Sequence, residues 1–306
     1  MTRQAITTDD GQPIAVRILD RQAPDAEAPD AEAPDAAAVD QSPDARDIAR
    51  DSDSGLVAVL LHATLSTSEQ LLPLARRLTA RFRVVLIDRR GTAGSSMRDP
   101  APVPVARHVA DVIAVLDALD VDRAVVVGHS FGGVVALRVA SEHPDRVAAV
   151  VAWEPPYLAV ADERLRTGMA AMADAVASEF ATGGAQAAAH RFLDAVSGAG
   201  AWDALHPRQR ESIARQGGGA LADVAMHGLT TDGLERISAT TTIATGAASD
   251  AFYAPIADAL AERIGPLAAR VDLPDLGHMA PITDAATVAE LVLRFAAAPA
   301  PQEATP

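Results

Sequence analysis

Short apolar runs alternate with longer stretches of helical period from residue 55 onward. The runs are rich in Val, Leu and Ala, which is typical of buried strands. The stretches at 68–80 and 105–119 place their large apolar residues on one helical face. This βαβ pattern predicts an α/β fold with a doubly wound, mostly parallel sheet that is covered on both faces. The strand-type runs lie at 56–62, 84–88, 124–129, 147–153, 240–245 and 269–273.

Three other segments differ from this pattern. Asp10-Gly11 between two β-rich runs predicts a hairpin over 2–20. Residues 22–54 repeat Ala-Pro-Asp-Ala-Glu and hold ten acidic residues but few large apolar ones, which predicts a flexible acidic insertion. Alanine-rich helical stretches replace the strands after residue 153 and predict a helical lid over 155–235. The core is then expected to comprise 1–21, 55–154 and 236–306.

Composition and charge exclude several functions. The chain contains neither cysteine nor lysine, so thiol nucleophiles, thiolate metal sites and lysine Schiff bases are excluded. A net charge of −15 disfavours binding to nucleic acids and anionic membranes. No apolar run has the length of a membrane span, and the N-terminus lacks an apolar signal region. We expect a cytoplasmic protein with a small-molecule substrate, while the sequence leaves the oligomeric state open.

A serine lies in a sharp turn between a strand and a helix. Gly128-His129-Ser130-Phe131-Gly132 follows the apolar run at 124–127 and opens the helical run at 133–141. In such an elbow, the strained backbone presents the serine hydroxyl at the carboxyl end of the sheet, and the glycines let strand and helix approach closely. The pattern predicts Ser130 as a nucleophile.

With this elbow, the chain resembles the α/β-hydrolase superfamily over nearly all of its length outside the acidic insertion. The resemblance implies a catalytic Ser130, an acid and a catalytic His278, in that order along the chain. It also implies an oxyanion hole formed by the N–H of Phe131 and an N–H of the loop after 56–62. That loop has Ala63 where relatives often have glycine, and Thr64 is the expected donor. Further matching motifs are Leu60-Leu61-His62, Asp88-Arg89-Arg90-Gly91, His143-Pro144-Asp145-Arg146-Val147, Glu154-Pro155-Pro156 and Leu276-Gly277-His278.

A general base is also required on physical grounds, since a serine hydroxyl attacks well only when a neighbouring group takes its proton. Of the eight histidines, His278 follows a strand run and a Leu-Gly turn, where a loop residue can lie over a nucleophile at a strand end. No HExxH-type spacing is present, so neither a metal nor a cofactor is implied.

Two carboxylates are candidates for the acid that orients His278. Asp250 follows the penultimate strand run, where most family members carry the acid, and precedes His278 by 28 residues. Glu154 directly follows the strand after the nucleophile helix, where a minority of the superfamily carries it. We prefer Asp250 and retain Glu154 as the alternative.

Aromatic residues at strand ends indicate a substrate pocket, with Trp153, Tyr157 and Phe252 as its candidate lining, although core packing explains them almost equally well. Within the predicted lid, we expect Trp202 and Phe180 to set substrate size. The sequence therefore predicts a cofactor-free serine hydrolase that cleaves a small, largely apolar ester or lactone. The alternatives are a C–C hydrolase, a thioesterase, an acyltransferase, a cofactor-free peroxidase and a non-catalytic ligand-binding receptor.

Overall fold

An eight-stranded sheet organises the protein in the computed structural model, which describes residues 1–22 and 56–296. The strand order is β1-β2-β4-β3-β5-β6-β7-β8, with β1 and β2 antiparallel to their neighbours and all other pairs parallel. The mostly parallel α/β fold and the N-terminal hairpin are confirmed, whereas the predicted acidic segment lies outside the described residues apart from Gln22. The strands are β1 (Thr2–Thr7), β2 (Pro13–Leu19), β3 (Val57–Leu61), β4 (Arg83–Ile87), β5 (Ala124–His129), β6 (Val147–Trp153), β7 (Thr240–Gly246) and β8 (Ala268–Leu273).

Helices cover both faces of the sheet. Helices α2, α3 and α8 pack on one face, and α1 and α10 pack on the other. The helices are α1 (Leu72–Leu78), α2 (Val105–Ala118), α3 (Phe131–Glu142), α4 (Glu163–Ser197), α5 (Ala201–Ala204), α6 (Pro207–Ala214), α7 (Gly217–Asp223), α8 (Tyr253–Ile264), α9 (Ala280–Thr283) and α10 (Ala285–Phe295).

The central strands are buried on both sides, which explains their nearly continuous apolar sequences. In β3, Val59 and Leu61 pack toward one helical layer, while Ala58 and Leu60 pack toward the other. This alternation follows from the two-residue period of a strand. The two cores fix the carboxyl ends of β3, β5, β6 and β7 at one edge of the sheet.

Between β6 and β7 lies a group of helices, which we call the helical insertion (residues 155–235). Its longest helix, α4, is interrupted at Gly184, where φ is 70° and ψ is −162°, so it consists of two helices joined at a bend. Side chains of α4 and α7, including Met172, Val176 and Leu221, form a small apolar cluster separate from the two sheet cores. Within the described ranges, no helix combines the length and apolar character needed to cross a bilayer.

Candidate active site

Ser130 occupies the predicted sharp turn between β5 and α3. Its backbone has φ 54° and ψ −121°, and its N–H donates to the carbonyl of Trp153 at 2.8 Å. The flanking glycines are required by close backbone contacts. A Cβ on Gly128 would lie 2.2 Å from the carbonyl oxygen of Gly132, and a Cβ on Gly132 would lie 2.3 Å from that of Leu61. The tight packing of β3, β5 and α3 therefore holds Ser130 in a strained conformation.

His278 follows β8 and pairs with a buried carboxylate. Its Nδ1–H donates to Oε2 of Glu154 at 2.7 Å. The second oxygen, Oε1, accepts the N–H of Gly246 at 2.7 Å, and the Glu154 N–H donates to the carbonyl of Ala244 at 2.9 Å. Glu154 is fully buried and has a positive φ of 46°. Both carboxylate oxygens are thus used, and the imidazole is oriented from its Nδ1 side.

The structure brings Glu154, the alternative candidate, to His278, whereas the preferred candidate Asp250 does not pair with it. Asp250 is exposed, and no hydrogen bond joins its side chain to His278 among the described residues. The reason is the position of each carboxylate relative to its strand. Glu154 comes directly after β6, whereas Asp250 lies four residues beyond the end of β7, in a turn that carries it toward solvent.

Aromatic residues hold the ring and loop of His278. The ring of Tyr253 stacks on it at 4.9 Å with an interplanar angle of 12°, and the Tyr253 Oη lies 3.5 Å from Nε2. Trp153 donates its Nε1–H to the carbonyl of His278 at 3.0 Å. Burial, together with the charges of Glu154 and Asp250, raises the pKa of Tyr253, so its phenol stays neutral. Sequence reasoning did not pair Tyr253 with His278, and the one signal for it is that an aromatic residue begins the helix after β7.

Three other histidines are buried and held neutral. Burial lowers the pKa of His62, His108 and His129 well below the ordinary value, and the charge of Arg89 lowers it further. His62 bonds within its own region, since Nδ1–H donates to the carbonyl of Ala63 at 2.8 Å and Nε2 accepts the Arg89 N–H at 3.0 Å. Both of its ring nitrogens are therefore occupied.

The two expected oxyanion donors lie at the ends of neighbouring strands. Phe131 is the first residue of α3, so its N–H has no acceptor within the helix. Thr64 lies in the loop after β3, and none of the backbone hydrogen bonds of the described residues uses its N–H. The next residue, Leu65, has a positive φ of 55°. Positive φ therefore occurs at non-glycine residues in the loops after β3, β5, β6 and β8: Leu65, Ser130, Glu154 and Asp275.

A small cavity adjoins Thr64 and Asp223. The rest of its lining consists of apolar side chains of the helical insertion: Leu158, Met169, Met172, Ala173, Phe192, Ala220, Val224 and Met226.

The aromatic residues predicted from the sequence lie elsewhere. Trp153 packs in a sheet core, the buried Tyr157 donates its hydroxyl to the carbonyl of Thr230 at 3.0 Å, and Phe252 packs on Tyr253 at 4.2 Å. None of the three lines the small cavity beside Thr64. Trp202 stacks on His190 within the helical insertion at 5.2 Å. Met172 and Phe192 line the small cavity, whereas Trp202 and Phe180 do not.

A search of the described residues for metal ligands finds no group of three or more His, Asp or Glu side chains that could hold an ion. The candidate groups at this edge of the sheet are therefore Ser130, His278 and Glu154, whose contacts are given above.

Comparison with known proteins gives the family. A model described as "Alpha/beta hydrolase family" matches residues 58–291, which is most of the chain. The chain belongs to this family. Among curated members, this alpha/beta hydrolase is 42% identical over 87 residues to a putative carbamate hydrolase RutD of Caulobacter sp. (strain K31), covering 28% of this chain and 32% of that protein. It is 40% identical over 108 residues to epoxide hydrolase B of Mycobacterium tuberculosis (strain H37Rv), covering 34% and 30%. These matches span about a third of the relatives' length.

Solved structures agree with the fold along nearly the whole chain. The alpha/beta hydrolase superposes on the enol-lactonase from Burkholderia xenovorans LB400 with a TM-score of 0.68 at 19% identity, covering 95% of this chain and 99% of that one. For a thermophilic esterase from Thermogutta terrifontis, the TM-score is 0.68 at 22% identity, with 97% and 100% coverage. At these identities the likeness establishes the fold alone.

Proposed function

We propose that this alpha/beta hydrolase is a serine hydrolase that cleaves small, largely apolar esters or lactones. The observation that carries the proposal is the 2.7 Å hydrogen bond from His278 to Glu154 at the sheet edge where the Ser130 elbow ends. A histidine that a buried carboxylate orients, at the same sheet edge as a strained serine, is the arrangement expected to activate the serine hydroxyl for attack.

In this mechanism, Glu154 holds the proton on Nδ1 of His278 and leaves Nε2 to accept the proton of Ser130. The Ser130 oxygen attacks the carbonyl carbon, and Glu154 stabilises the imidazolium that forms. Nε2–H then protonates the departing alcohol oxygen, which leaves an acyl group on Ser130. A water molecule, deprotonated by His278, hydrolyses the acyl-enzyme, and the proton returns to Ser130 as the acid departs.

The N–H groups of Phe131 and Thr64 are the donors for the oxyanion in this scheme. Negative charge develops on the carbonyl oxygen during attack, and donors fixed in advance stabilise it without reorganisation. Removing one such donor lowers turnover in comparable enzymes by roughly 10²- to 10³-fold. In our proposal, the helical insertion acts as the lid that closes over these donors.

The apolar lining of the small cavity supports an apolar substrate, and the names of the carbamate hydrolase, enol-lactonase and esterase support an acyl one. The cavity beside Thr64 is apolar apart from Thr64 and Asp223, and the chain carries a net charge of −15, which disfavours polyanionic substrates. A carbamate, an enol-lactone and an ester share a carbonyl with a heteroatom leaving group. The epoxide hydrolases of this fold use a carboxylate nucleophile, and Ser130 in that position disfavours epoxide opening.

A fluorophosphonate probe followed by peptide mapping tests the nucleophile without knowledge of the substrate. We expect labelling at Ser130 and turnover of p-nitrophenyl acetate, both lost in Ser130→Ala. The matched control is Ser141→Ala, which removes another buried hydroxyl of the same helix region and leaves both unchanged. Labelling at another residue, or ligand binding without turnover in the unmodified protein, would contradict the mechanism.

A further inference from the structure

A buried carboxylate of the helical insertion is paired with an arginine of the sheet core. Asp223, the last residue of α7, accepts Nη1–H and Nη2–H of Arg89 at 2.7 and 2.9 Å. The two side chains are only 3% and 2% exposed. Such bidentate, charge-assisted bonds fix both partners in one geometry, and burial protects them from solvent screening.

The same pair reaches both expected oxyanion donors. Oδ2 of Asp223 accepts the hydroxyl of Thr64 at 2.7 Å. Arg89 places its guanidinium 4.7 Å from the ring centre of Phe131 and donates Nε–H to the carbonyl of His62 at 2.8 Å. The loop carrying Thr64 is thus held at His62 by the arginine and at Thr64 by the carboxylate.

The loop needs such support because its backbone is strained. Leu65, directly after Thr64, is a non-glycine residue at φ 55°, a conformation that persists only when surrounding contacts hold it. An oxyanion donor is effective only when it is held where the charge develops, so a small displacement of Thr64 lowers the rate steeply.

We infer that Arg89 and Asp223 are positioning residues for the oxyanion hole, so that the hole is complete only when the helical insertion is seated on the core. This inference rests on the proposed function. The helical insertion would then influence the rate of the reaction as well as the size of the substrate that fits.

The neighbouring residue provides a matched control. Arg90 forms a second buried pair, with Nε–H and Nη2–H donating to Asp111 of α2 at 2.9 and 2.6 Å. Asp111 is 4% exposed, and no hydrogen bond among the described residues joins its side chain to Thr64 or Phe131. Asp223→Asn and Asp111→Asn therefore remove the same charge from equally buried pairs, and both are expected to lower the free energy of unfolding by a similar amount.

The experiment compares these two variants with the unmodified protein in three measurements. For Asp223→Asn, we expect kcat for p-nitrophenyl acetate to fall about 100-fold with KM changed less than about threefold. We also expect binding of a boronic acid transition-state analogue to weaken in parallel, and amide exchange in 62–66 to accelerate. Asp111→Asn is expected to keep all three within about threefold. Thr64→Val removes only the hydrogen bond from the Thr64 hydroxyl to Asp223, and its kcat is expected to lie between those of the two Asn variants.

Equal losses of kcat in Asp223→Asn and Asp111→Asn would overturn the inference, because the effect would then reflect general destabilisation. If the unmodified protein is inert and unlabelled by the fluorophosphonate, the proposed function fails separately. Amide exchange still decides the positioning role in that case, since unchanged exchange in 62–66 of Asp223→Asn would show that the pair does not hold the loop.

Discussion

The sheet core and the helical insertion are built in different ways. In β3 and β5 every residue is buried, whereas the 35-residue α4 buries only Met172, Ala173, Val176, Ala188 and Ala189. Ser130, His278 and Glu154 all follow strands of the core, while the insertion supplies Asp223 and most of the cavity lining. Under the proposed function, the densely buried core places the reacting groups, and the less buried insertion governs closure and substrate fit.

The largest expected effect tests which carboxylate of the core orients His278. Glu154→Gln should lower kcat for p-nitrophenyl acetate about a thousandfold or more with little change in KM, because the imidazolium loses its buried partner. Asp250→Asn, in the exposed turn after β7, should change kcat less than about threefold. Steady-state kinetics on both variants, with circular dichroism to confirm folding, checks this. The reverse pattern would return the acid to Asp250.

Glycine substitutions test the difference in packing. A Cβ on Gly128 would lie 2.2 Å from a backbone oxygen, whereas a Cβ on Gly168 of α4 would meet nothing within 4 Å. Gly128→Ala should lower the free energy of unfolding by about 3 kcal/mol or more. Gly168→Ala should raise it by about 0.5–1 kcal/mol, since alanine favours the helix. Urea unfolding measures both, and changes of the same sign would break the comparison.

The strands, the elbow and the position of His278 can be predicted from the sequence because each depends on local pattern. The acid cannot, since both Asp250 and Glu154 follow strand runs, and only the path of each loop decides which one meets His278. Arg89 and Asp223 are 134 residues apart, so no local pattern pairs them. The cavity lining likewise depends on how the halves of α4 pack around Gly184, which helical periodicity does not specify.

A smaller effect concerns substrate fit. Phe192 lines the cavity beside Thr64. Phe180 packs against the apolar cluster of the insertion and does not line that cavity. Phe192→Ala should raise kcat/KM for p-nitrophenyl hexanoate relative to the acetate about tenfold, because it enlarges an apolar pocket. Phe180→Ala, the matched control, should leave the ratio unchanged. A shift in Phe180→Ala alone would place the size determinant elsewhere in the insertion.

The smallest expected effect is on the pH dependence of core stability. Burial and the charges of Arg89 and Arg90 lower the pKa of His108. As pH falls below about 6.5, the unfolded chain therefore takes up a proton that the folded chain does not, and stability decreases.

At pH 6, this contribution of His108 is about 0.8 kcal/mol relative to pH 7.5. His108→Gln should reduce the loss of unfolding free energy between pH 7.5 and pH 6 by that amount, measured by urea unfolding at each pH. A parallel offset at both pH values would mean that His108 takes up its proton equally in the folded and unfolded chains, so that folding does not lower its pKa.

Each of the two regions also contains one of the chain's two tryptophans. Trp153 donates to the carbonyl of His278, and Trp202 stacks on His190 in the helical insertion. Intrinsic fluorescence can therefore be divided between the regions without an added dye. In a Trp202→Phe variant, the remaining indole reports the loop of His278 alone, so the acylation proposed at Ser130 is expected to appear as an emission change in real time.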